Sequence, residues 1–239
     1  MRYSTKGLAA ICAFAAAGCV DKVPVANVPP GVRPSVPDPA ASRPSVLLEA
    51  APGEWVSLFD GKTLSGWRVL TEKAFVGHKE VRVDNGTIVM ERGQLQTGIG
   101  WDGAFPSENY EVWLEAMRTD GHDFFCGMTF PVGQEPCTLI IGGWGGSVVG
   151  LSNVDHMPAA ENMTTNSMSF ESNRWYVIHL RVTTKKIDVW IDDQHMISLE
   201  REGRSFSVWW EQEAARPFGI ANWDTGSALR HIRFRRLAN

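Results

Sequence analysis

The sequence shows no excess of basic residues, no run of 18 apolar residues and almost no helical periodicity. Its 23 Lys and Arg stand against 27 Asp and Glu, a net charge of −4 in 239 residues. A nucleic-acid binder usually carries a basic surplus, so the balance argues against that partner. Without a long apolar run there is no membrane-spanning helix to expect. The best helical stretch, Glu211 to Arg216, amounts to barely two turns. Tyrosine and cysteine are scarce, at 3 and 4, whereas Trp and Gly number 10 and 23. With 44% hydrophobic and 21% charged residues the composition is that of a globular protein. Ten tryptophans, each large and apolar with one polar handle, are the first lead.

The N-terminus reads as an export signal. Arg2 and Lys6 precede a short apolar stretch, Gly7 to Ala17, too short to span a bilayer. Ala16-Ala17-Gly18-Cys19 resembles a bacterial lipobox, with Ala16 where Leu is usual. Residues 1–18 are expected to be a lipoprotein signal peptide and Cys19 the lipidated residue. An ordinary secretory signal with an incidental Cys is the alternative. Cleavage would leave 221 residues and a net charge of −6. The expected location is the bacterial cell envelope, on its periplasmic or outer-membrane face, with membrane contact through the lipid only. Eight of the 13 prolines fall between Val20 and Pro52, so residues 19–52 are expected to be an extended tether. Residues 53–239 remain as one domain of comfortable size.

That domain reads as all-β. Val81-Arg82-Val83 and Ile88-Val89-Met90 flank Asn85-Gly86, a type I′ hairpin signal. Alternating stretches follow at Asn109–Met117, Trp175–Val182 and Lys186–Ile191, and the last strand spans Leu229–Leu237. About a dozen short strands separated by turns indicate a sandwich or jelly roll of two antiparallel sheets. The faces opposite the aliphatic ones mix aromatics with charge. Trp113 lies between Glu111 and Glu115, Trp190 lies between Asp188 and Asp192, and Trp175 shares its face with His179 and Arg181. Such faces suit a concave sheet gripping a sugar; the alternative is sheet surface covered by loops. Cys126 and Cys137 flank a hairpin loop, which raises a disulfide in an exported protein against two buried free thiols.

Trp55-Val56-Ser57-Leu58-Phe59-Asp60-Gly61-Lys62-Thr63-Leu64-Ser65-Gly66-Trp67 closely resembles the opening of the 3-keto-disaccharide hydrolase domain family. Tyr110 to Arg118 is similar to that family's long central strand, and Phe218-Gly219-Ile220-Ala221 with Leu229 to Arg233 is similar to its closing strands. The resemblance covers about residues 53–238. It implies a concanavalin A-like lectin/glucanase jelly roll and a 3-keto sugar substrate. The middle of the chain, with Asp123 to Val132 and Gly142 to Thr165, departs from the family pattern and points to a divergent subgroup.

On that resemblance a carbonyl at C3 acidifies the C2 proton, and a base starts an elimination that expels the C1 substituent before water adds back. Glu115 is the candidate base and Arg118 or a bound cation the stabiliser. In a regular strand these two point to opposite faces, and a surface ion pair is the bland alternative. Glu111 and Glu115 share a face but lie about 13 Å apart along the strand, too far for a retaining glycosidase pair. Trp144, set among four glycines, is a candidate stacking platform. Asn153, Asp155, His156, Glu161 and Asn162 follow on one loop, with Asp155 and Glu161 as further catalytic candidates. Asp155, Glu161 and carbonyls are also the candidate calcium donors, although the spacing matches no recognised loop. Glu111, Trp113, Trp144, Asn153, His156, Asn162, Trp190 and Trp223 are the candidate substrate-binding residues. A non-catalytic carbohydrate-binding module and an envelope-interaction domain without a sugar site stand as alternatives.

Overall fold

The computed structural model describes residues 46–238. The signal segment, Cys19 and most of the proposed tether lie outside the described residues. Fifteen strands follow one another: β1 Val56–Ser57, β2 Trp67–Val69, β3 Val81–Asp84, β4 Thr87–Met90, β5 Gln96–Trp101, β6 Tyr110–Gly121, β7 Cys126–Val132, β8 Glu135–Gly143, β9 Val148–Ser152, β10 Asn166–Ser167, β11 Trp175–Val182, β12 Lys186–Ile191, β13 Gln194–Glu200, β14 Gly219–Trp223 and β15 Thr225–Arg236. The first sheet runs β13-β12-β11-β6-β15-β4-β3, with β1 also on β15; the second runs β10-β9-β8-β7-β14-β5-β2. The chain crosses repeatedly between the two sheets, which gives the expected jelly-roll sandwich.

Period-two patterning explains the layers. Tyr110, Val112 and Leu114 of β6 and Tyr176, Ile178 and Leu180 of β11 point inward and are buried. They meet Met128 and Phe130 of β7, Leu139 and Ile141 of β8 and Ile220 of β14 in one hydrophobic core. The Asn85-Gly86 turn has φ of 47° and 78° and joins β3 to β4, as its sequence predicts. In β15 the pairing with β6 slips between Arg230 and Arg233, where His231 sits at φ 53°. This bulge lets Arg230 and His231 both face outward while Leu229, Ile232 and Phe234 stay in the core.

Two expectations change. Residues 46–49, read as extended tether, form a helical turn, and its Leu47 is buried in the core. Cys126 and Cys137 are free and buried, not disulfide-bonded. The hairpin register pairs Cys126 with Ile141 and Cys137 with Phe130, so the two thiols sit four positions apart along the ladder. Burial pushes the Cys126 thiol up to about 12 and raises that of Cys137 further.

Candidate functional site

The outer faces of the two sheets differ. On the first sheet the mixed faces read from the sequence are present but already paired. Glu111 is buried and receives Arg181 Nε at 2.6 Å and Arg235 Nε, with His179 Nε2 at 3.4 Å. Burial alone would raise its carboxyl, but His179, Arg235 and Arg181 together hold it down at about 2. Glu115 receives Arg230 Nε at 2.7 Å and pairs with His231 Nδ1 at 2.9 Å. Burial opposes these contacts, and the net effect lowers its carboxyl. Arginines cover the rings: Arg233 over Trp113 at 4.2 Å, Arg230 over Trp175 at 4.1 Å and Arg181 over Trp190 at 5.2 Å. Trp190 is further flanked by His179 at 4.9 Å and His195 at 4.7 Å. This face is a self-satisfied tiling of cation, ring and carboxylate.

The second sheet is hollowed instead. Its outward residues include Gln96 of β5, Thr129 of β7, Thr138 and Ile140 of β8, Ser152 of β9 and Trp223 of β14. A 3-10 segment, Trp210–Ala215, lies across part of this face. Its end rests on Gly219, where a Cβ would fall 2.7 Å from the Ala215 carbonyl oxygen, so only glycine admits the approach. Arg68 clamps it by donating to the Ala214 and Arg216 carbonyls at 3.3 and 3.1 Å. Beside it opens a cavity of about 360 Å³ lined by Gln96, Thr138, Ile140 and Ser152 of the sheet, Phe124 and Asp123 before β7, and Glu211 and Gln212 of the segment. Trp144, Trp209 and Trp223 complete its walls.

Trp144 is half exposed, at φ 50°, in the turn joining β8 to β9. The turn is held by Gly145 N–H donating to Asp123 Oδ2 at 3.2 Å, while Asp123 Oδ1 accepts from Phe124 N–H at 2.7 Å. Both Asp123 oxygens are therefore engaged. Thr129 and Thr138 pair with each other at 2.9 Å. By contrast Gln96 Nε2 and Oε1, Gln212 Oε1 and Glu211 Oε2 are buried without a hydrogen-bond partner. Each such group costs roughly 1–3 kcal/mol while it stays unfilled. Their clustering at one cavity marks a place for a polar ligand.

Of the residues singled out from the sequence, Trp144 and Trp223 reach this cavity. Glu111, Trp113, Glu115 and Trp190 belong to the other sheet's outer face. Arg118 is buried at the end of β6, donates to the Phe170 carbonyl and stacks 5.8 Å from Phe125. The polar loop after β9 builds itself. Asn162 Nδ2 donates to the Leu151, Met157 and Pro158 carbonyls, and its Oδ1 accepts from Thr164. Asn153 N–H donates to the Ser207 carbonyl at 2.7 Å. Asp155 accepts Ser205 N–H at 2.9 Å and Arg204 Nη1 at 2.8 Å, which lower its carboxyl. His156 and Glu161 are exposed on turns. Among the described residues no three His, Cys, Asp or Glu side chains group to hold a metal. Gln96, Glu211 and Gln212 went unread. The one signal was the outward row Gln96-Gly98-Gly100, opposite Trp223-Ala221-Gly219, which leaves room above the sheet.

Solved structures with this architecture include enzymes and a glycan-bound domain. An endo-acting O-glycanase of the human gut microbiota is 13% identical, with a TM-score of 0.51 over 79% of this chain and 100% of that one. The Crh5 transglycosylase in complex with NAG is 10% identical, with a TM-score of 0.51 over 81% and 90%. The Ca2+- and Man3GlcNAc-bound exoplasmic/lumenal domain of VIP36 is 9% identical, with a TM-score of 0.50 over 77% and 89%. At these identities the likeness shows the concanavalin A-like jelly roll alone. No curated protein matches the chain in sequence. The family model of the 3-keto-alpha-glucoside-1,2-lyase-like domain matches residues 54–237, so the chain belongs to that family.

Proposed function

We propose that this protein is a carbohydrate-active enzyme that holds a sugar in the tryptophan-walled cavity and cleaves 3-keto-glycosides there. The observation that carries the reading is the set of buried, unpartnered atoms of Gln96, Gln212 and Glu211 in a cavity bounded by Trp144, Trp209 and Trp223. A pyranose needs both: apolar C–H faces for indole rings and hydroxyls for amides and carboxylates. Glu211 is the base, because its Oε2 is unengaged whereas both Asp123 oxygens accept backbone N–H groups. It removes the C2 proton, and the electron pair passes into the C3 enolate. The enolate collapses to a C1–C2 double bond, and the C1–O bond breaks with its electrons, the leaving oxygen taking up a proton. Water then adds its hydroxyl at C1 and a proton at C2.

The test is release of the aglycone by the purified protein from 3-keto-glucosides and their unoxidised parents, with and without chelator. Release from the keto forms alone, lost in Glu211→Gln, supports the reading. The chelator arm tests the calcium role that the sequence suggested for Asp155 and Glu161. Binding without release would move the protein to a non-catalytic, lectin-like role. One observation favours that second reading: Glu211 supplies the cavity's one unengaged carboxylate among the described residues, so no glycosidase dyad is present. The same proposal places the enzyme at the bacterial cell envelope through Cys19. Cys19→Ser is expected to move it from the membrane to the soluble fraction.

A further inference from the structure

The unfilled buried atoms of the cavity make an uneven set. Three are acceptors: Gln96 Oε1, Gln212 Oε1 and Glu211 Oε2. One is a donor, Gln96 Nε2. The charged residues lining the cavity, Asp123 and Glu211, are both acidic, and among the described residues no Lys, Arg or His lines it. A ligand that completes this set brings several hydroxyl protons, one oxygen that only accepts, and no negative charge. We propose that Gln96 is the specificity-determining residue of the site, its Nε2 donating to a ring ketone while its Oε1 accepts from the hydroxyl on the neighbouring carbon. Gln96 is suited to this part because it is wholly buried on β5, directly across the ladder from Trp223. The ring that stacks on Trp223 thereby presents its edge to the amide. A ketone cannot turn to donate, so it needs Nε2, whereas a hydroxyl at the same carbon can serve either partner. The inference rests on the saccharide reading above and adds the residue that tells a keto sugar from its parent.

The test uses the purified protein and three probes: methyl 3-keto-α-glucoside, methyl α-glucoside and methyl α-glucuronide. Binding is read by stopped-flow tryptophan fluorescence in the first moments after mixing, before the keto probe is turned over. Wild type is expected to bind the keto form most tightly and the glucuronide at least about tenfold more weakly than the neutral parent. Gln96→Glu keeps the shape and replaces the donor by an acceptor. It is expected to weaken the keto glycoside about 10- to 100-fold while changing the parent by less than about threefold. Gln96→Met, which removes both polar atoms without adding charge, covers the case in which a buried glutamate prevents folding. It is expected to erase the preference for the keto form. An unchanged keto-to-parent ratio in folded variants overturns the inference and leaves the saccharide reading standing. Failure of wild type to bind any of the three overturns the saccharide reading itself.

Discussion

At the scale of single residues, the site divides into groups that are spent and groups that are open. Glu115 and Glu111 carry carboxylates saturated by arginine and histidine, whereas Glu211 Oε2 lacks a partner. Glu211→Gln is therefore expected to abolish aglycone release while saccharide affinity stays within about threefold, a kcat effect rather than a KM effect. Glu115→Gln is expected to leave release intact. The half-exposed Trp144 and Trp209 contribute little to the core. Replacing either by Ala should weaken binding about tenfold and leave the melting temperature nearly unchanged, as fluorescence titration and thermal denaturation would show. The two thiols are expected to stay inert to an aromatic disulfide reagent in native protein and to react together on unfolding, since each is buried.

At the scale of elements, the strands were readable and the coverings were not. β11 and β12 have the bounds that alternation predicts, and the Asn85-Gly86 hairpin forms as its turn residues require. Alternation reports which residues face the core; it does not say which outer face is tiled and which is hollowed. That depends on arginines of β15 meeting tryptophans of β6 and β11, contacts between positions distant in sequence. The sequence shows Glu211 to Arg216 only as a weak helical stretch, yet the 3-10 segment Trp210–Ala215 brings Glu211 and Gln212 to the cavity. The loop after β9 looked like a cluster of ligands because it is dense in polar side chains. Asn162 satisfies the loop's own backbone, and Asp155 ties the loop to Arg204 and Ser205. Asn162→Ala would leave three carbonyls and the Thr164 N–H without that partner, at a cost of about 2–3 kcal/mol. A lower urea midpoint with an unchanged slope would register it.

At the scale of the whole molecule, the sandwich keeps its stability on one outer face and its candidate chemistry on the other. The charge network of the first sheet ties stability to acid. Glu111 is held at about 2 in the fold against an ordinary 4.5, so its contribution is complete above about pH 5 and is lost as the pH falls toward 2. The shift corresponds to at most about 3 kcal/mol. Denaturant titrations at pH 7 and pH 3 should show that loss in wild type and a smaller one in Glu111→Gln, itself less stable at pH 7. Chemistry in the cavity should be insensitive to this substitution.

The bulge at His231 also bears on how this chain tolerates changes of length. Arg230 lies opposite Glu115 and Arg233 opposite Trp113, so the strand carries one residue more than its partner needs. Deleting His231 restores an unbroken ladder in which Ile232 and Phe234 still face the core. β15 can therefore lose a residue at this point without turning inside out, whereas a deletion inside the regular ladder of β11 would turn its arginine inward. Length variation among descendants of this sequence should gather at such points and spare the strands that floor the cavity.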